Sequence, residues 1–370
     1  MHRFMVVLLA LAWLFPRPCA AAGSEPSVEE MAGAMIMVGF HGTEAPQSVM
    51  SAVAAGRLGG VILFDRSPGR KGELYNIQSP EQVRNMVASL QKAAPRMLLV
   101  AVDQEGGKVR RLKPERGFHP LPAAEVMGRM NAEEVRELGF QAGREMASLG
   151  INVNLAPVAD LRRSTDSPGL GNAGRLFGSD SSQVTRQALA FADGLYRAGV
   201  LPALKHFPGL GSAGKDSHHE LPDITKSWNQ EELLPYVEAF RRGWPGMVLV
   251  AHVYHRELDA MLPSSLSPSV VDSLLRRRLG WDGVVISDDL QMGAVAKGRS
   301  LEERVRLALL AGNDILLFGN NLSYDPLLHE KVFQAVMELV KEGAVTPERL
   351  KTSWTRIEKM KRNLAESRGK

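Results

Sequence analysis

Met97-Leu98-Leu99-Val100-Ala101-Val102-Asp103 is an unbroken apolar run that ends on a carboxylate. A strand with one face in water alternates apolar and polar residues. A run without alternation needs cover on both faces, as in a parallel sheet enclosed by helices. Segments of the same kind lie on either side: Met35–Phe40 and Gly60–Phe64 before it, then Val153–Val158, Pro202–His206, Met247–His252, Gly283–Ser287 and Asp314–Phe318, eight in all. Helical patterns separate them. Ser79-Pro80-Glu81-Gln82 reads as a capping box with proline at the first helical position, and Val83, Met86, Val87 and Leu90 follow on one face. Asn131 with Glu134 opens another helix that Gly150 ends; Ser267-Pro268 opens a third that closes near Gly280, and Gly312 ends a fourth. This alternation predicts an α/β chain folded as a single (β/α)8 TIM-type barrel, with an open doubly wound sheet as the competing topology. Two more helices, about His329–Gly343 and Pro347–Leu364, are expected outside the barrel.

Composition narrows the function. Of 370 residues, 44% are apolar and 23% charged, enough for a large core beneath an ordinary polar surface. The net charge of +4 is dispersed along the chain, which reads as a solvated surface and not as a nucleic-acid site. Cys19 is the single cysteine, so an intramolecular disulfide and a cysteine-rich metal site are both excluded. Residues 1–22 read as a secretory signal: His2 and Arg3, the apolar run Phe4–Phe15, then Ala20, Ala21 and Ala22. The run is short for a membrane span. The expectation is therefore a periplasmic or secreted catalytic barrel over residues 23–370, without stable membrane insertion after signal cleavage, and monomeric.

The polar residues gather where such a barrel builds its active site, at the C-terminal ends of strands. Asp103 closes the third strand, Asp160 follows the fourth, Lys205 and His206 close the fifth, His252 the sixth, and Asp288-Asp289 the seventh. Charges in a barrel mouth are costly to desolvate and need partners, which they can supply to one another. The stretch Lys205-His206-Phe207-Pro208-Gly209-Leu210-Gly211 runs on to Asp216-Ser217-His218-His219. An aspartate two residues before an imidazole can fix its tautomer and leave the other nitrogen for proton transfer.

That stretch resembles the signature of family 3 glycoside hydrolases, in particular their β-N-acetylglucosaminidase branch. Asp103-Gln104-Glu105-Gly106-Gly107, Ala156-Pro157-Val158, Gly174-Arg175, Ala251-His252-Val253 and Ser287-Asp288-Asp289-Leu290 are similar to the other family blocks, in order, from about Met31 to beyond Asn320. The resemblance implies a metal-free single barrel without cofactor, acting on carbohydrate, often the GlcNAc-β-1,4-MurNAc linkage of peptidoglycan fragments. It implies Asp288 as nucleophile and His218 as acid/base with Asp216 as its partner. It implies Asp103, Arg111, Arg175, Lys205 and His206 as the groups that hold the N-acetylglucosamine ring. Lys108, Leu176 and Leu210 depart from the residues usual at their positions.

Other readings stay open at this level. His206, His218, His219, His252, Asp103 and Asp288 are a conceivable zinc set in a barrel hydrolase, although no His-x-His pair ends the first strand. An exported sugar-binding protein without catalysis, a β-glucosidase specificity, and transfer to phosphate in place of water are the remaining alternatives.

Overall fold

The computed structural model describes residues 25–67, 70–163, 170 and 173–367; the signal-like segment 1–22 with Cys19 lies outside them. All eight expected strands form: β1 (Ile36–Gly39), β2 (Gly60–Ile62), β3 (Leu99–Val102), β4 (Val153–Asn154), β5 (Leu201–Phe207), β6 (Met247–Val250), β7 (Val285–Ser287) and β8 (Leu316–Phe318). Each pairs in parallel with its sequence neighbour, and β1 pairs with β8, as in Val38↔Val61 and Ile36↔Leu316. The ring closes between β7 and β8 through the Ile286↔Ile315 bridge and the Ser287 N–H donating to the Ile315 carbonyl at 3.1 Å. A closed ring leaves no strand edge exposed, and the open doubly wound alternative is thereby set aside.

The strands are short because their neighbours change character quickly. Val153–Val158 contracts to Val153–Asn154 as a regular strand; beyond it the Leu155 N–H still donates to the Val102 carbonyl at 2.8 Å and the Ala203 N–H to the Ala156 carbonyl at 3.0 Å, and past Pro157, which has no N–H to donate, comes the isolated Val158↔Lys205 bridge. Val100, Ala101, Val153, Leu204, Val248, Ile286 and Leu316 are fully buried, as their uninterrupted apolar sequence requires. The helix starts follow the chain's capping residues. Asn131 and Glu134 complete a reciprocal capping box on Ala132–Ser148. Ser79 accepts the Gln82 N–H, but the Gln82 side chain turns back to the Gln78 N–H, so that box is only half made. Ser269–Arg278 winds as a π-helix.

The two C-terminal helices, Leu328–Lys341 and Pro347–Ser367, pack on the outside. Asp314, buried at the base of β8, fastens the last one. It accepts from Arg276 Nη2 at 2.6 Å, the Val285 N–H at 2.9 Å, and Ser353 Oγ at 2.5 Å on that helix. Two short hairpins, Arg66–Ser67 with Arg70–Leu74 and Gln104–Gly106 with Val109–Arg110, rise from the ends of β2 and β3 and wall the mouth of the barrel.

Candidate active site

The mouth holds a cleft of about 680 Å³ whose lining includes Asp103, Arg111, Arg175, Lys205, His206, Asp216, His218 and Asp288. Every residue expected from the sequence to act on the sugar therefore reaches one space.

One wall is a ladder of alternating charge. Lys113 meets buried Asp65 at 2.5 Å, and Asp65 faces Arg111 at 3.8 Å. Arg111 Nη2 donates to Asp103 Oδ2 at 3.0 Å; Lys205 Nζ donates to Asp103 Oδ1 at 2.9 Å and lies 2.6 Å from Glu105 Oε1. Glu105 then receives Arg175 through two bonds of 2.7 and 2.8 Å. Burial alone would push both acids up, but the cations outweigh it. Lys205 and Arg111 hold Asp103 well below the usual carboxylate range, and Arg175 and Lys205 hold Glu105 at about 2. Lys205, opposed by burial, is raised by Asp103 and Glu105 and stays charged. Pairing with good geometry is what makes such buried charges tolerable. Arg111, Lys205 and Arg175 also line the cleft, where guanidinium and ammonium N–H groups are suited to donate to sugar hydroxyls.

His206 leaves β5 beside this wall. Its Nδ1 contacts Asp160 Oδ2 at 2.6 Å, and Asp160 Oδ1 also accepts the Leu210 N–H at 2.7 Å. Asp160, a strand-end acid with no role assigned to it from the sequence, thus orients the His206 imidazole. Glu105 was quoted in a block but given no role, although it joins the two strongest cations of the wall. Its position between Gln104 and Gly106-Gly107 at a strand end was the available signal.

Opposite the wall stand Asp288 and the loop that bears His218. Asp288 follows β7, its N–H donates to the Val250 carbonyl at 3.0 Å, and its Oδ1 accepts the Asp289 N–H at 2.9 Å. Burial opposes its ionisation, yet His252, His206 and that N–H hold it below the ordinary value. Asp289 differs. Burial pushes it up to about 6, against the Gly319 and Gln291 N–H groups that its Oδ1 accepts at 2.9 Å each. A Cβ on Gly319 would come within 2.5 Å of Asp289 Oδ2, so glycine is needed there. His252, fully buried, has its Nε2 2.8 Å from the Asp289 carbonyl and its Nδ1 2.6 Å from Ser265 Oγ. A carbonyl only accepts, so the proton sits on Nε2; burial lowers the affinity of this ring for a second proton.

Asp216 and His218 meet as expected, Oδ1 to Nδ1 at 2.7 Å, and the same oxygen accepts the His218 N–H at 3.0 Å. Burial opposes ionisation of Asp216, but the His218 bonds outweigh it and keep its carboxyl low. The loop is tied to the turn beyond Asp288: Gly293 N–H donates to the His218 carbonyl at 3.1 Å and Ala294 N–H to the Ser217 carbonyl at 3.2 Å. The approach is close enough that a Cβ on Gly293 would lie 2.7 Å from the His219 carbonyl. Among the described residues no group of three or more His, Cys, Asp or Glu is arranged to hold a metal ion.

An ionised carboxylate facing a histidine–aspartate pair, across from a wall of pinned donors, defines a glycosidase site. The chain belongs to glycosyl hydrolase family 3: the model of that family's N-terminal domain matches residues 27–360. It is 35% identical over 292 residues to a β-hexosaminidase of Tolumonas auensis, covering 77% of this chain and 83% of that one. A β-hexosaminidase of Alkalilimnicola ehrlichii is also 35% identical, over 77% of this chain and 80% of its own. Among solved structures, the family 3 β-N-acetylglucosaminidase of Paenibacillus sp. FPU-7 superposes with a TM-score of 0.84 at 32% identity, over 92% of this chain and 63% of that one. The β-N-acetylhexosaminidase of Beutenbergia cavernae superposes at 0.80 with 29% identity, over 90% and 98%.

Proposed function

We propose that this glycoside hydrolase is an exported, retaining exo-β-N-acetylglucosaminidase that releases terminal β-linked GlcNAc from peptidoglycan fragments. The observation that carries the reading is the division of labour between Asp288, held ionised at the cleft, and the Asp216–His218 pair on a loop bonded to the turn beyond it. In the first step Asp288 attacks the anomeric carbon while His218 gives its proton to the departing oxygen. In the second His218 takes a proton from water, which displaces Asp288 with net retention. Asp103, Arg111, Arg175, Lys205 and His206 hold the ring. The relatives' activities, β-hexosaminidase in Tolumonas auensis and β-N-acetylglucosaminidase in Paenibacillus sp. FPU-7, support the GlcNAc specificity.

The charge around the cleft favours an acidic leaving group. Arg66 and Lys215 line the mouth. Arg66 also borders a second open groove of about 920 Å³ that carries Lys108, Arg110, Lys113 and Arg116 against Glu115 and Glu125. A muramyl residue with its lactyl carboxylate suits that side. Aryl β-glycosides of GlcNAc, glucose and xylose compared by kcat/KM test the sugar preference, and a glucose preference would overturn it. For the leaving group, GlcNAc-β-1,4-MurNAc is expected to be cleaved with higher kcat/KM than GlcNAc-β-1,4-GlcNAc, and Arg66→Ala to narrow the gap about tenfold, as loss of one charge-assisted contact would. Equal rates in the parent protein would refute the acidic subsite.

Export rests on the apolar run Phe4–Phe15 with the alanines after it. Intact mass of protein recovered from periplasm or medium should lack roughly the first 20 residues, a usual signal length. A full-length cytoplasmic product would reverse this part of the reading.

A further inference from the structure

Beneath the loop that carries His218 lies an acid with no obvious business there. Glu232, from the helical turn Gln230–Leu233, is 1% exposed, and its carboxylate oxygens find no well-formed hydrogen bond among the described residues, with Ser212 and the Gly211 N–H as the weak donors beside them. It fills the space under Gly209, where an added Cβ would fall 2.3 Å from its Oε2, and glycine at φ 136° leaves that space open. The next glycine of the loop, Gly211, rests on the Leu161 backbone just as closely. Ser212 Oγ and Tyr236 Oη, both neighbours of Glu232, are likewise buried without a well-formed hydrogen bond.

The charged and titratable groups facing Glu232 come from two segments. Asp160 and Arg163 follow β4, and Tyr236 lies on the helix Leu234–Arg241. Arg163 is already engaged by Glu231 at 2.5 Å and Asn229 at 3.2 Å. Asp160, by contrast, is the carboxylate that fixes both His206 and the Leu210 N–H. A buried carboxylate beside another carboxylate is stable only as the neutral acid. Burial and Asp160 push Glu232 up to about 8, with Ser212, Arg163 and Gly211 opposing.

We propose that Glu232 is a positioning residue that works in its neutral form. Protonated, it seats the loop 209–220 so that Asp216 and His218 stay bonded to the turn beyond Asp288; ionised, it repels Asp160 and unseats the loop. This rests on His218 being the proton-transfer group.

The test is the alkaline limb of kcat on an activated aryl β-GlcNAc: departure of the phenolate is fast, so kcat reports deglycosylation, in which His218 serves as base and needs no proton of its own. The parent protein should lose kcat above about pH 8, the value at which Glu232 ionises. Glu232→Gln, neutral and the same size, should keep full activity at neutral pH and move the limb upward by about one pH unit or more. Glu232→Ala should be slow at every pH. Hydrogen exchange of amides 209–220, corrected for intrinsic rate, should rise above that pH in the parent and not in Glu232→Gln.

A linked effect follows on stability. The folded protein keeps a proton on Glu232 that the unfolded chain gives up above its ordinary value of 4.5, so Tm should fall between that pH and about 8 and this slope should be absent in Glu232→Gln. Superimposable limbs and exchange profiles in parent and Glu232→Gln, or a Gln variant as slow as the Ala variant, would overturn the proposal. If the parent cleaved no β-GlcNAc substrate at any pH, the proposed activity would fall, and the exchange and Tm profiles would still decide the seat.

Discussion

Asp288→Asn is expected to lower kcat by roughly four to six orders of magnitude, the range met when a nucleophile is removed from a group of residues acting together. The fold should hold. Asparagine keeps the oxygen that accepts the Asp289 N–H, and the backbone bond to Val250 does not involve the side chain. What disappears is the negative charge that burial resists and that His252, His206 and the Asp289 N–H sustain. An unchanged Tm alongside the lost activity separates chemistry from folding. In the parent protein a 5-fluoro GlcNAc analogue should accumulate as a covalent ester, and peptide mapping should place it on Asp288. Label on Asp289, whose Oδ1 is occupied by two N–H groups, or no label at all, would overturn the assignment.

His218→Ala should show the second large effect, and a selective one. A sugar leaving group is a strong base and departs only when protonated; an activated phenolate departs almost unaided. The variant should lose roughly two to four orders of magnitude in kcat on a natural disaccharide, the usual worth of a general acid, and far less kcat/KM on the aryl glycoside. Deglycosylation, deprived of its base, then becomes slow, and a pre-steady-state burst of phenol should appear. Asp216→Ala should repeat the pattern in milder form, since Asp216 orients the ring through Nδ1. Equal losses on both substrates without a burst would make His218 a binding residue and send the search for the acid elsewhere along the cleft.

The barrel was legible because strands buried on both faces have to be written in continuous apolar residues, as Met97–Val102 and Met247–Val250 are. Strand lengths were less so: around Pro157, which has no proton to donate, the ladder thins to single bonds before the apolar run ends. The hairpin Gln104–Gly106 with Val109–Arg110 went unread, though Gly106-Gly107 between its arms was a turn signal. The polar residues at strand ends announced the site, and the family blocks gave them expected roles. Glu105 and Asp160 escaped because their meaning comes from residues far along the chain: Arg175 is 70 positions from Glu105, and His206 is 46 from Asp160. Glu232 was invisible for a similar reason. In sequence it is half of an acidic pair at a helix start, like Glu133-Glu134, and only tertiary burial separates it from an exposed cap.

The bond from the Gly293 amide to the His218 carbonyl makes the two reactive segments one mechanical piece. Recombination among family 3 enzymes would therefore preserve function only when residues 205–220 and 288–294 cross over from the same parent. A chimera taking one without the other would keep every reactive side chain and lose their alignment. Moving both segments together should keep that alignment, because the bond travels with them.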